Sequence, residues 1–161
     1  MEAEKTIEAV IAASLSGEYR QTASAFAAYL RSCGAEFIRD TGYWKDKIYY
    51  LVRAAGDYVC YIAICDPDEP ENCWTVWSED TPSYETAAPS EEIKQTAWRY
   101  VDRCDHCGSC AGGRPKIVFG RRFGGVCGCT FRIDNACADD LPFLREMAAL
   151  RIADLQREAA R

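Results

Sequence analysis

Residues 47–65 read Lys47-Ile-Tyr-Tyr-Leu-Val-Arg53, then Ala54-Ala-Gly-Asp57, then Tyr58-Val-Cys-Tyr-Ile-Ala-Ile-Cys65. Both runs are rich in β-branched and aromatic side chains, which suit a pleated, half-buried surface. The segment between them ends in Gly56-Asp57, a tight-turn signal between two strands. An antiparallel hairpin therefore lies at the centre of the chain. Residues 35–39 read as a strand before it, and 74–78 as one after it, beyond the acidic loop 66–72 (Asp-Pro-Asp-Glu-Pro-Glu-Asn).

Helical periodicity flanks this block. Residues 2–15 place Ile7, Val10, Ile11 and Leu15 on one face, and Gly17 interrupts the pattern. Residues 18–32 repeat Tyr19, Ala23, Phe26 and Leu30, with Cys33 following, and Gly34 is a natural stop. Ser90 is an N-cap signal, with Glu91 and Glu92 at the positive end of the helix dipole. The helix it opens has Ile93, Ala97, Val101 and Cys104 as its expected buried face. Residues 117–123 and 126–133 then read as a second hairpin turning at Gly124-Gly125, and Asp139 or Asp140 opens a last helix. Strands joined by hairpins between helices predict an α+β fold: an antiparallel sheet of about 5–6 strands covered by helices on one side. The expected organisation is a single domain, 1–161, with 1–17 as an N-terminal arm or helix and 90–138 as a cysteine-rich subregion.

Composition excludes several classes of function. The chain has 161 residues, 48% of them hydrophobic, and a net charge of −6. Such a balance argues against binding nucleic acid by phosphate neutralisation and against a polybasic membrane anchor. No apolar run approaches the roughly 20 residues of a membrane helix. The start, Met1-Glu2-Ala3-Glu4-Lys5, has no basic region followed by an apolar one, so a cytoplasmic protein is expected.

Ten cysteines stand out in a chain of this kind. Five are scattered, at 33, 60, 65, 73 and 137, and five crowd together at 104, 107, 110, 127 and 129. Cys104-Asp-His-Cys107-Gly-Ser-Cys110 offers a tight CxxC turn that can aim two sulfurs at one ion. In Cys127-Gly-Cys129 the i, i+2 spacing puts both sulfurs on one side of a strand. Together they predict a structural Zn²⁺ site at Cys104, Cys107, Cys127 and Cys129, with Cys110 and His106 in reserve. The ion would tie the second-half helix to the C-terminal hairpin. Two other uses of the same residues stay open: an iron–sulfur cluster or redox thiols, and inert buried thiols. The surrounding charge leans toward thiolates. From Arg103 to Arg132 six cations face only Asp105, whereas residues 66–92 hold nine acids and no base.

A one-sided sheet leaves one strand face uncovered. The 47–53 strand carries bulky groups on both faces, Tyr49 and Leu51 against Ile48, Tyr50 and Val52, so an aromatic row should be left exposed. Trp44, Tyr50, Trp74 and Trp77 are the candidate ligand-binding residues, for an unidentified small molecule or protein partner. Catalytic constellations are thin. His106 is the only histidine, and the Gly-rich stretches lack the Gly-Lys-Ser/Thr ending of a phosphate loop.

The stretch from Trp98-Arg-Tyr-Val-Asp102 through the Cys104–Cys110 run, Phe119-Gly-Arg-Arg-Phe123, Val126-Cys127 and Phe131-Arg-Ile-Asp-Asn135 resembles small uncharacterised bacterial proteins. These pair a Cys-x-His-Cys knuckle with a Phe-Gly-(Lys/Arg)-x-Phe strand and a closing helix. The segment Trp44–Tyr50 resembles a strand of small α+β domains of unknown function. The resemblance implies a fold and a metal site and carries no reaction. It leads one to expect a single cysteine where this chain has Cys127-Gly-Cys129.

Overall fold

The structure, a computed structural model, describes residues 5–105, 107 and 112–161. Two helices open the chain, α1 (Ile7–Ser14) and α2 (Gly17–Ser32). Strands β1 (Glu36–Arg39), β2 (Ile48–Ala54), β3 (Asp57–Ile64) and β4 (Trp74–Ser78) follow. Next come a short helix α3 (Ser83–Thr86) and α4 (Glu91–Arg99), then β5 (Val101–Arg103), β6 (Arg114–Val118) and β7 (Arg121–Asp134). A 3₁₀ turn at Ala138–Asp140 leads into α5 (Leu141–Ala159). The strands form one antiparallel sheet in the order β1-β2-β3-β4-β7-β5, with β6 also paired to β7. The fold is α+β, as expected.

The sheet has seven strands, more than expected, because the helix opened by Ser90 is shorter than its periodicity suggests. Ser90 Oγ does accept from Ile93 N, so the predicted cap forms. However, α4 stops at Arg99, and the Tyr100 carbonyl accepts from Arg132 N at 3.1 Å. Pairing with β7 thus takes over the backbone at Val101, a β-branched residue equally at home in a strand. Residues 101–103 become β5, and the predicted helix face at Val101 and Cys104 does not exist.

The second hairpin also turns elsewhere. Phe119 (φ 46°) and Gly120 (φ 82°) form its two-residue corner, with Val118 opposite Arg121. Gly124 and Gly125 lie inside β7, which runs on unbroken to Asp134. The first hairpin turns where expected, with Ala55 (φ 53°) and Gly56 (φ 90°) both left-handed, as a turn matching the strand twist requires.

Helices cover one face of the sheet. Tyr50, Val52, Ile62, Ile64, Trp74, Val76 and Ile133 alternate toward it and join Ile7, Ile11, Phe26, Leu30, Phe143 and Leu144 in the core. The opposite rows, Leu51-Tyr61-Trp77-Arg132 and Tyr49-Ala63-Thr75-Asp134, face away from the helices. Among the described residues no helix is long and apolar enough to cross a membrane.

Candidate metal centre in an aromatic groove

The site begins with an irregularity in β7. Val101 of β5 lies opposite Phe131, yet Arg103 lies opposite Val126. Two steps on β5 match five on β7, so the segment 127–130 bows out of the ladder as a bulge of three extra residues. Thr130 carries the strain at φ 78°. Polar side chains hold the bow in place. The fully buried Ser78 hydroxyl donates to the Cys129 carbonyl and accepts from Phe131 N at 3.1 Å. Lys116 Nζ donates to the Gly128 carbonyl at 3.2 Å and to Thr130 Oγ1 at 2.8 Å, and pairs with Asp80 at 3.1 Å. Thr130 Oγ1 in turn donates to Asp80 at 2.8 Å.

The bulge presents Cys127 and Cys129 to Asp102 on β5. One ligand atom from each of these three half-buried residues lies within 4.8 Å of the other two. Cys129 Sγ stands 3.7 Å from Asp102 Oδ2. Ligand atoms around a tetrahedral Zn²⁺, at Zn–S of about 2.3 Å and Zn–O of about 2.0–2.2 Å, sit roughly 3.5–4 Å apart, so the spacing fits one ion. Burial pushes the Cys129 thiol well above its ordinary range, and negative charge on Cys127 and Asp102 adds to the effect. Burial likewise raises the Asp102 carboxyl, with Arg132 opposing. A cation bound among these groups would favour their charged forms and release protons.

Of the four expected ligands, Cys127 and Cys129 are brought together here. Cys107 is exposed and lines the same groove, but its sulfur lies outside the 4.8 Å cluster. Cys104 is not in the cluster: its backbone N–H donates to the Gly125 carbonyl at 2.8 Å, and its Cβ lies against Gly113. His106 and Cys110 lie outside the described residues. Asp102 is the residue that sequence reasoning missed. On a helix it would have pointed away from Cys104; only the β5–β7 pairing gives it a role, and no local signal marks it.

Beside the cluster, the uncovered sheet face forms a groove of about 500 Å³. Tyr49 is at its centre, with ring centroids 5.9 Å from Trp44, 6.2 Å from Tyr61 and 5.9 Å from Trp77. Lys47 lies 4.3 Å over the Trp44 ring and is held by Asp66 and Asp68, each at 3.0 Å. Arg132 lies 5.2 Å over Trp77 and is held by Glu69 at 2.6 Å and Asp134 at 3.1 Å. Tyr61 donates to Glu79. At the groove wall the basic second half and the acidic 66–92 stretch therefore meet through Arg132 and Glu69. Trp44 and Trp77 line the groove as expected. Tyr50 and Trp74 do not: at 3% and 1% exposure they point to the helix side, where Trp74 Nε1 donates to the Ala136 carbonyl at 3.1 Å. Their places are taken by Tyr49 and Tyr61. A strand period of two offers both rows equally, and only the side on which the helices land decides between them.

No protein-family model, no curated protein and no solved structure matches this chain.

Proposed function

We propose that the protein is a zinc-binding module whose aromatic groove, opening beside the ion, takes a small ligand or a protein partner. Asp102, Cys127 and Cys129 hold the ion, and Cys107, on the rim of the same groove, would move in as the fourth ligand. The carrying observation is the convergence within 4.8 Å of one donor atom from β5 and two from a bulge of β7 that buried hydrogen bonds hold in shape. A mixed sulfur and carboxylate set is zinc chemistry. Iron–sulfur clusters are held by cysteine thiolates, so the carboxylate speaks against that alternative. The ion's part is structural: it ties β5 to the bulge of β7 and shapes one wall of the groove. Thiolate ligands must remain reduced, which suits a cytoplasmic protein.

Elemental mass spectrometry of protein purified with and without air tests this reading. One zinc per chain is expected in the wild type and in Cys104→Ser, with loss in Cys129→Ser and weakened retention in Asp102→Asn. Iron with visible absorption, or no metal in either preparation, would overturn it.

A further inference from the structure

Two cysteines that the metal reading leaves unused stand at the neck of the acidic loop. The β3–β4 ladder ends at Ile64 opposite Trp74. It continues one step further through a bond from Cys65 N to the Cys73 carbonyl at 2.8 Å. Strand residues that exchange both such bonds have Cα atoms about 5.5 Å apart, close to the roughly 5.5–6 Å that most disulfides span, and here one of the two bonds is made. Cys73 N does not return the bond but donates to Asn135 Oδ1 at 2.7 Å, which anchors that side of the neck. Cys65 leaves strand geometry at φ 51°, and its Sγ donates to the Ser14 carbonyl at the end of α1, 3.7 Å away. Cys73 packs against the core, and Cys65 is exposed to solvent. Burial, and then the neighbouring Cys73, raise the Cys65 thiol.

We propose that Cys65 and Cys73 form a reversible disulfide that closes the 66–72 loop. The oxidant is a small-molecule disulfide of the glutathione type. One cysteine thiolate attacks it, forming a mixed disulfide and releasing one glutathione thiol. The second cysteine thiolate then attacks the mixed disulfide, forming the Cys65–Cys73 bond and releasing the second glutathione thiol. The two protons lost by the cysteines end on the two glutathione thiols, and two electrons pass from the protein to the oxidant. The closed loop carries Asp66 and Asp68, which hold Lys47 over Trp44, and Glu69, which holds Arg132 over Trp77. Oxidation would thus fix one wall of the groove, and reduction would free it. The inference stands apart from the metal reading, since none of the proposed ligands takes part.

The test is to incubate the native full chain with oxidised glutathione, block remaining thiols in acid, and map the peptides. Residues 66–92 contain no Lys or Arg, so trypsin leaves Cys65 and Cys73 in one peptide, lighter by two hydrogens when the bond forms. A glutamate-specific protease then cuts after Glu71 and parts Cys73 from the piece that carries Cys60 and Cys65, so the two pieces stay joined only through a disulfide, which fragmentation assigns to Cys65 or Cys60. The expected result is a Cys65–Cys73 link that dithiothreitol reverses and Cys65→Ser abolishes. Nicking of the native chain after Glu71 should also slow several-fold on oxidation, and Cys65→Ser should lose that slowing. Recovery of both cysteines blocked, each carrying its own glutathione, or linked to other cysteines would overturn the proposal.

Discussion

Replacing Ser78 by alanine removes one oxygen from a fully buried position and strips two backbone groups of their partner. The Cys129 carbonyl loses its donor, and Phe131 N–H loses an acceptor at 3.1 Å. A buried polar group left unpaired costs about 1–3 kcal/mol, so the pair gives roughly 3 kcal/mol after partial relaxation. For a chain of this size that is a fall in melting temperature of about 6–12 °C. Because those two bonds also fix the backbone that presents Cys129, zinc affinity should fall by about 10–100-fold, the range seen when groups supporting a ligand are lost. Thr75→Val is the control. Its hydroxyl is also buried and donates to Asp134 at 2.8 Å, but it does not touch the bulge. It should cost about 1 kcal/mol and leave zinc affinity unchanged. Thermal unfolding and a competition titration with a zinc indicator read both quantities. A shift below about 1 °C in Ser78→Ala, or equal losses of zinc affinity in the two variants, would refute the reasoning.

Asp154 supplies a pH prediction. Burial favours its neutral form, but bonds donated by Ser83 and Thr81 and the contact with Arg157 outweigh this, so its pKa lies below the ordinary value. A carboxyl depressed on folding contributes stability above its unfolded pKa, and that contribution is lost as pH falls through the folded one. Chemical denaturation below about pH 4 should therefore show declining stability that Asp154→Asn flattens. Gly113→Ala would place a methyl group 2.6 Å from Cys104 Cβ and 2.7 Å from the Gly125 carbonyl carbon and oxygen. It should cost about 1–3 kcal/mol, seen as a lower urea midpoint with unchanged slope. An unchanged midpoint would mean that the β6–β7 strands give way more easily than their packing implies.

The parts of the fold legible in the sequence are those where local chemistry and tertiary context agree. Ala55-Gly56 sits between two β-rich runs and turns there; Ser90 caps as its sequence suggests. Where they compete, context wins. Val101 and Cys104 fit a helical face as well as a strand, and the partner strand β7 decides the matter. Gly124-Gly125 is the stronger turn signal by composition, yet the chain turns at Phe119-Gly120, where an aromatic accepts a left-handed conformation. Phe119 N–H donates to the Tyr84 carbonyl at 2.7 Å, and its ring packs near Tyr84 and Phe131. The site follows the same logic. The cysteine cluster is legible in the sequence, but Asp102 joins Cys127 and Cys129 only through strand pairing. The existence of an aromatic row on the uncovered face is legible, whereas the choice of Tyr49 and Tyr61 over Tyr50 and Trp74 requires the helices.

Zinc K-edge X-ray absorption on the zinc-loaded chain tests the central claim most directly, because it counts sulfur and oxygen neighbours around the ion. The account predicts a mixed shell, three sulfurs at about 2.3 Å from Cys107, Cys127 and Cys129 and one oxygen at about 2.0–2.2 Å from Asp102. Asp102→Asn should change the oxygen contribution and leave the sulfurs. A shell of four sulfurs would hand the site to Cys104 or Cys110 and remove Asp102 from it, and a shell without sulfur would contradict the account altogether.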